Sequence, residues 1–122
     1  MERIEEDKDR EYRIDMEAVV DAYDEEERAM GWYYYLDDKI NFPFKAKFIK
    51  EKRTSPLKQE EVVEVTGMAP ADECEHDMLI EIQWQGRKLA VPLSQIEGIS
   101  VDDATKEAIE DWHYWVARGY EF

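Results

Sequence analysis

The hydrophobic pattern of the chain changes period at Pro43. Before it, Met16, Val19, Tyr23, Met30 and Tyr34 recur near helical spacing, and Asp24, Glu25, Glu26 and Glu27 fall mostly on the other face. This predicts a helix from about Asp15 to about Leu36, capped by Asp15, with Gly31 as a weak point where it breaks in two. Pro43 disfavours a helical Phe42, so the helix ends before it. After it, the period is two. Phe42, Phe44, Ala46 and Phe48 point one way and Lys45, Lys47 and Ile49 the other, which predicts a half-buried strand over 42–50. Ser55-Pro56 marks a loop, and "EEVVEVTGM" (60–68) is a second strand. The polar loop "APADECEHD" (69–77) leads to a third strand, "MLIEIQW" (78–84). Gln85-Gly86 turns the chain into a short fourth, "RKLAVPL", which Pro92 places at an edge. "SVDD" caps a last helix with Ala108, Ile109, Trp112, Trp115 and Val116 as its apolar stripe, closed by Arg118-Gly119. The predicted class is α+β: a small antiparallel sheet of about four strands, or an SH3-like partly closed barrel, flanked by an N-terminal and a C-terminal helix. With no repeat or linker, residues 1–122 read as a single domain, with 1–12 solvated and frayed.

Composition narrows the class. A hydrophobic fraction of 43%, with four Trp, seven Tyr and four Phe, predicts a packed globule. No apolar run approaches the ~20 residues that span a bilayer. "MERIEEDKDREYR" has no apolar signal-peptide core, and a lone Cys74 forms no intrachain disulfide. These features predict a cytoplasmic protein without a membrane partner. The net charge of −15 argues against nucleic acid as a partner and favours cations or basic proteins. It is uneven: −10 over 1–38, +6 over 39–58 and −11 over 59–122.

That imbalance makes "GWYYYLDDKINFPF" notable. Asp37 and Asp38 follow the last turn of the predicted helix, where the backbone is already negative and each carboxylate is disfavoured by ~0.3–1 kcal/mol. A bound cation relieves this. Asn41 adds a side-chain oxygen. If strands 42–50 and 60–68 form a hairpin, the Asp37–Asn41 segment meets the loop bearing Asp72, Glu73, Glu75 and Asp77. Convergent oxygens without a nearby base suit Ca²⁺, which takes about 6–8 oxygen ligands. The plainer reading of Asp37-Asp38 is a solvated helix end.

Other constellations carry less. "DKDREY" from Asp7 fails as an EF-hand, with Tyr12 in place of Gly and Ala18 in place of Glu. Cys74, His76 and His113 are a thin zinc set, and Cys74–His76 is a poor nucleophile pair beside so many acids, so no catalytic residues are assigned. Asp21, Asp24 and Glu25 share a helical face and form a second cation candidate, as do Glu107, Glu110 and Asp111. Asp102 and Asp103 read as an N-cap and first turn.

"VVDAYDEEERAMGWYYYLDDKINFPF", "ECEHDM" and "AIEDWHYW" together resemble the small acidic calcium-binding proteins of the CcbP type, over roughly residues 15–118. The resemblance implies a non-EF-hand bacterial protein that buffers or senses cytosolic Ca²⁺ at more than one site, with Asp37 and Asp38 inside the matching block. From the residues alone, Asp72, Glu73, Glu75 and Asn41 join them. The competing class is an acidic interaction module that engages a basic partner or mimics nucleic acid, with no specific metal.

Overall fold

The N-terminal third folds as two helical pieces crossing at a glycine. The computed structural model describes residues 6–49, 61–120 and 122. Helix α1 (Lys8–Arg13) starts where the Asp7 carboxylate accepts the Arg10 N–H, and it continues into a π-helical turn over Ile14–Ala18. The chain then breaks. Asp21 sits at φ 56°, in the left-handed region that Asp tolerates better than most residues. Asp24 starts afresh: its carboxylate accepts the Glu27 N–H and opens α2 (Glu25–Lys39). The single helix expected over 15–36 is corrected accordingly, and Asp15 lies within the π turn rather than at a cap. Gly31 breaks nothing. A Cβ there would overlap the carbonyl oxygen of Ala18, so Gly31 is where the two pieces touch. The buried stripe is Ile14, Ala18, Ala29, Trp32, Tyr35 and Leu36, whereas Met16, Tyr23 and Tyr34 of the expected stripe are exposed.

Residues 7–13 are joined to the last helix by side-chain bonds. Arg10 Nη1, Arg13 Nε, Arg13 Nη2 and the Tyr35 hydroxyl all donate to the buried carboxylate of Asp111, over 2.7–2.9 Å. The Asp7 N–H donates to the Tyr114 hydroxyl, which donates in turn to Glu11.

Five strands, not four, form one antiparallel sheet: β1 (Phe44–Phe48), β2 (Val62–Met68), β3 (Leu79–Trp84), β4 (Arg87–Pro92) and β5 (Ile96–Ile99), in the order β4-β3-β2-β1-β5. The sheet is open, with β4 and β5 at its edges, which corrects the barrel. The expected β1–β2 hairpin is present, pairing Phe44 with Val65 and Lys47 with Val62. Phe42 and Pro43, joined by a cis bond, precede β1 rather than belong to it. The expected strand ends at Lys50 and Glu60, and the Lys50–Lys58 loop, lie outside the described residues. Gln85 (φ 50°) and Gly86 (φ 76°) both take positive φ, as a tight hairpin turn demands, and Pro92 ends the edge strand β4. Strand β5 has no clear alternation of its own; it is four residues long and contains Gly98.

Helix α3 (Asp103–Ala117) starts at Asp102, whose carboxylate accepts the Thr105 N–H at 2.7 Å, and the chain turns away at Gly119 (φ 85°). It buries Ala108, Ile109, Trp112 and Trp115 as expected, but Val116 is exposed. Helices α2 and α3 pack over the sheet face formed by Phe44, Ala46, Phe48, Val63, Val65, Ile80 and Ile82, while Lys45, Glu64 and Gln83 are exposed. Trp32 anchors the joint, edge-to-face against Trp112 (5.0 Å) and Tyr35 (5.7 Å). Among the described residues no helix is long and apolar enough to cross a membrane.

Candidate metal centre

The 69–77 loop lies along α2 because both of its ends are tied down. Ala69 is buried; its N–H donates to Leu79 O at 3.0 Å, and its carbonyl accepts the Tyr33 hydroxyl at 2.9 Å. Pro70 leads into a 3₁₀ turn over Ala71–Glu73. Cys74 is buried beneath it, with its sulfur accepting the Leu79 N–H at 3.5 Å. Burial pushes this thiol up, as do the neighbouring acids. The cysteine is thus an internal anchor for the loop, while Asp72, Glu73, Glu75 and His76 are exposed. Among the described residues no zinc set forms: His76 is on the surface, and the His113 ring meets Leu93 O instead.

Between this loop and the start of α2 lies a cleft of about 480 Å³. Five carboxylates line it: Asp24, Glu25 and Glu26 from the helix, Asp72 and Glu75 from the loop. Among the described residues, the basic group that lines it is His76, with Nδ1 4.0 Å from Glu25 Oε1. Met30, Ala29 and Ala71 give it an apolar back wall. The acidic start of α2, a separate candidate in the sequence, therefore lines the same cleft as the loop acids. Asp21 is not on α2 at all; its left-handed turn precedes the helix.

Asp37 and Asp38 lie in the last turn of α2, both exposed. Neither lines the cleft, which sits at the start of the helix. Burial raises the Tyr33 hydroxyl above its ordinary value, and the charges of both Asp37 and Asp72 raise it further, so those carboxylates act on one phenol. Asn41 goes elsewhere: its N–H donates to Thr105 Oγ1 at 2.9 Å and its side-chain amide donates to Asp102. It joins the end of α2 to the start of α3. Glu73 lies on the 3₁₀ turn outside the cleft lining. The Glu107–Glu110–Asp111 candidate dissolves, since Asp111 is buried among arginines and Glu107 pairs with Arg13 at 3.3 Å.

Among the described residues no three His, Cys, Asp or Glu side chains stand close enough to grip one ion as they are placed. The donor chemistry nevertheless fits a hard cation: all-oxygen, anionic and on flexible side chains around a cleft.

A chain with this sheet, this loop and this donor set has the parts of a calcium-binding protein, and the comparisons agree. Residues 12–116 match the CcbP family, described as calcium binding, and the chain belongs to that family. Its fold is that of the crystal structure of Anabaena CcbP, at 54% identity and TM-score 0.89 over the whole of both chains. A second solved structure, a calcium-binding protein in the calcium-binding form, is 53% identical with TM-score 0.87, again over both full chains. No curated protein matches the chain.

Proposed function

We propose that this protein buffers or senses Ca²⁺ in the cytoplasm, acting as a binding protein and not an enzyme. Its principal ion site is the acidic cleft, held by Asp24, Glu25, Glu26, Asp72 and Glu75, with Asp37 and Asp38 serving a second position at the end of α2. The observation that carries this reading is the cleft itself, where two acidic segments far apart in sequence line one space. Calcium supplies positive charge that offsets the mutual repulsion of the carboxylates. Flexible Asp and Glu side chains on a loop and a helix start satisfy the large, irregular shell of Ca²⁺ better than the strict octahedron of Mg²⁺. The buried sulfur of Cys74 and the Tyr33 hydroxyl keep the loop backbone in place. Asn41 is left out of this ligand set because its N–H and side-chain NH₂ tie it to Thr105 and Asp102 at the start of α3, outside the cleft lining.

The test is a calorimetric Ca²⁺ titration of chelator-stripped protein in about 0.15 M KCl with millimolar Mg²⁺, where exposed charges are screened beyond about 8–10 Å. Saturable heats are expected. Asp72→Asn/Glu75→Gln should weaken the tighter phase at least tenfold, and Asp37→Asn/Asp38→Asn should remove a separate, weaker one. Heats that are flat in the unmutated protein, with no change in melting temperature, would overturn the reading. The acidic interaction module would then take its place.

A further inference from the structure

The N-terminal helical segment is turned partly inside out. A surface helix ordinarily keeps its apolar side on the core and its charges in water. Here Arg10 and Arg13 reach inward to the buried carboxylate of Asp111, beside Ile14 and Ala18, while Tyr12, Met16, Val20 and Tyr23 stand outward, 68%, 53%, 48% and 82% exposed. Tyr12 and Met16 are about one turn apart, and Val20 and Tyr23 follow where the chain leaves the π turn. Half of the large apolar side chains exposed among the described residues fall within 12–23. Neither Tyr12 nor Tyr23 has a hydrogen bond or ring contact among the described residues, so both rings are open to a partner. Exposed large apolar side chains gathered in one place mark an interaction surface, whereas single ones scattered over a protein need no explanation.

The backbone beneath this ridge is fixed. Arg13 ties it to Asp111, Glu17 pairs with Lys39 at 3.4 Å, and the Ala18 carbonyl lies against Gly31. Docking there therefore orders little of this chain. Charge selects the occupant. Asp9, Asp15 and Asp21 are exposed along the same segment and have no ion pair among the described residues. A second copy would set one acidic face against another, and anionic lipid would be repelled in the same way; a basic partner is attracted. Outward side chains one turn apart, about 5 Å, mesh with the rows three and four residues apart on another helix. We propose that this ridge docks the apolar face of a basic amphipathic helix of a partner protein, whose Lys and Arg side chains pair with Asp9, Asp15 and Asp21. None of these residues lines the acidic cleft, and the site does not rest on the calcium reading.

The experiment titrates the full chain, with chelator present and in about 0.15 M KCl, into submicromolar fluorescein-(KLAKKLA)₂-amide, a peptide with one apolar and one basic helical face, and follows its anisotropy. Saturable binding is expected. The same residues reordered to leave no apolar face should bind at least about tenfold more weakly. Met16→Ser and Tyr23→Ser should each weaken binding ~3- to 10-fold, and Val62→Ser, exposed on β2, by less than about twofold. Asp9→Asn/Asp15→Asn/Asp21→Asn should weaken it ~3- to 10-fold and flatten its dependence on salt. Every substituted side chain is exposed, so the variants should keep the melting curve of the unmutated protein. Absence of saturable binding, equal affinity for the reordered peptide, or an equal loss in Val62→Ser would overturn the ridge as a site. Unchanged affinity in the triple aspartate variant would overturn the basic character of the occupant. Dimerisation of the protein alone in sedimentation, lost in Met16→Ser, would overturn the partner helix in favour of a second copy. Binding to phosphatidylcholine vesicles, lost in the same variant, would overturn it in favour of a lipid surface.

Discussion

Arg13 grips Asp111 with two prongs: Nη2 lies 2.7 Å from Oδ1 and Nε 2.9 Å from Oδ2, across 98 residues of sequence. The carboxylate is wholly buried, and the pair holds the Arg13 proton more tightly than usual, first through this hydrogen bond. Removing one member of a buried pair leaves the other's charge uncompensated. Asp111→Ala should cost about 3–5 kcal/mol in urea unfolding, because two guanidiniums and the Tyr35 hydroxyl lose their acceptor together. Arg13→Ala should cost less, since Arg10 and Tyr35 still donate. Equal, small losses in both variants would show that α1 contributes little to the folded state.

Tyr35 gives the same network a pH signature. Burial raises its pKa, and its hydrogen bond to Asp111 raises it further. A phenol raised on folding contributes stability that is fully present below its unfolded value of about 10 and is lost as pH climbs toward the folded one. Between about pH 10 and the folded value, stability should fall more steeply in the unmutated protein than in Tyr35→Phe. The check is chemical denaturation across that range; parallel curves would remove Tyr35 from the account.

Gly31→Ala should destabilise the protein, although alanine favours a helix over glycine by about 1 kcal/mol. The new methyl meets the Ala18 carbonyl, part of a backbone that cannot swing aside as a flexible side chain would. A net loss of about 1–3 kcal/mol is expected by thermal unfolding. A gain would mean that the π turn shifts freely against α2.

Calcium should raise the melting temperature, because a ligand that binds only the folded state stabilises it by about 2.7 kcal/mol at a hundred times its dissociation constant. The rise should shrink in Asp72→Asn/Glu75→Gln, and it should be far smaller with Mg²⁺. Differential scanning calorimetry at fixed protein concentration reads it directly.

The alternation at Phe44, Ala46 and Phe48 against Val63 and Val65 made the hairpin legible, and the hairpin brought the 69–77 loop to α2. Two features resisted. The break before Asp24 depends on Asp21 adopting a left-handed conformation, and "VVDAY" carries no glycine or proline to announce it. Strand β5 is held by its partner more than by its own pattern: Ile96 pairs with Phe48 and Gly98 with Ala46, with only four residues of its own. Of the ligand candidates, Asp72 and Glu75 line the cleft, whereas Asn41 lies at the junction of α2 and α3. Its amide answers the N-cap of α3, a contact set by tertiary packing. The signal for the cleft was present in the run from Asp24 to Glu27, whose position opposite Asp72 and Glu75 follows only once the helix is known to start there.

Strand β1 lies between β2 and β5, and α1 is fastened to a carboxylate on the last helix. On a ribosome, the first third of this chain emerges long before the partners that complete it. Phe48 waits for Ile96, and Arg13 waits for Asp111. The early segment is therefore translated as an acidic, unfinished piece, and the fold closes only when its C-terminal helix arrives.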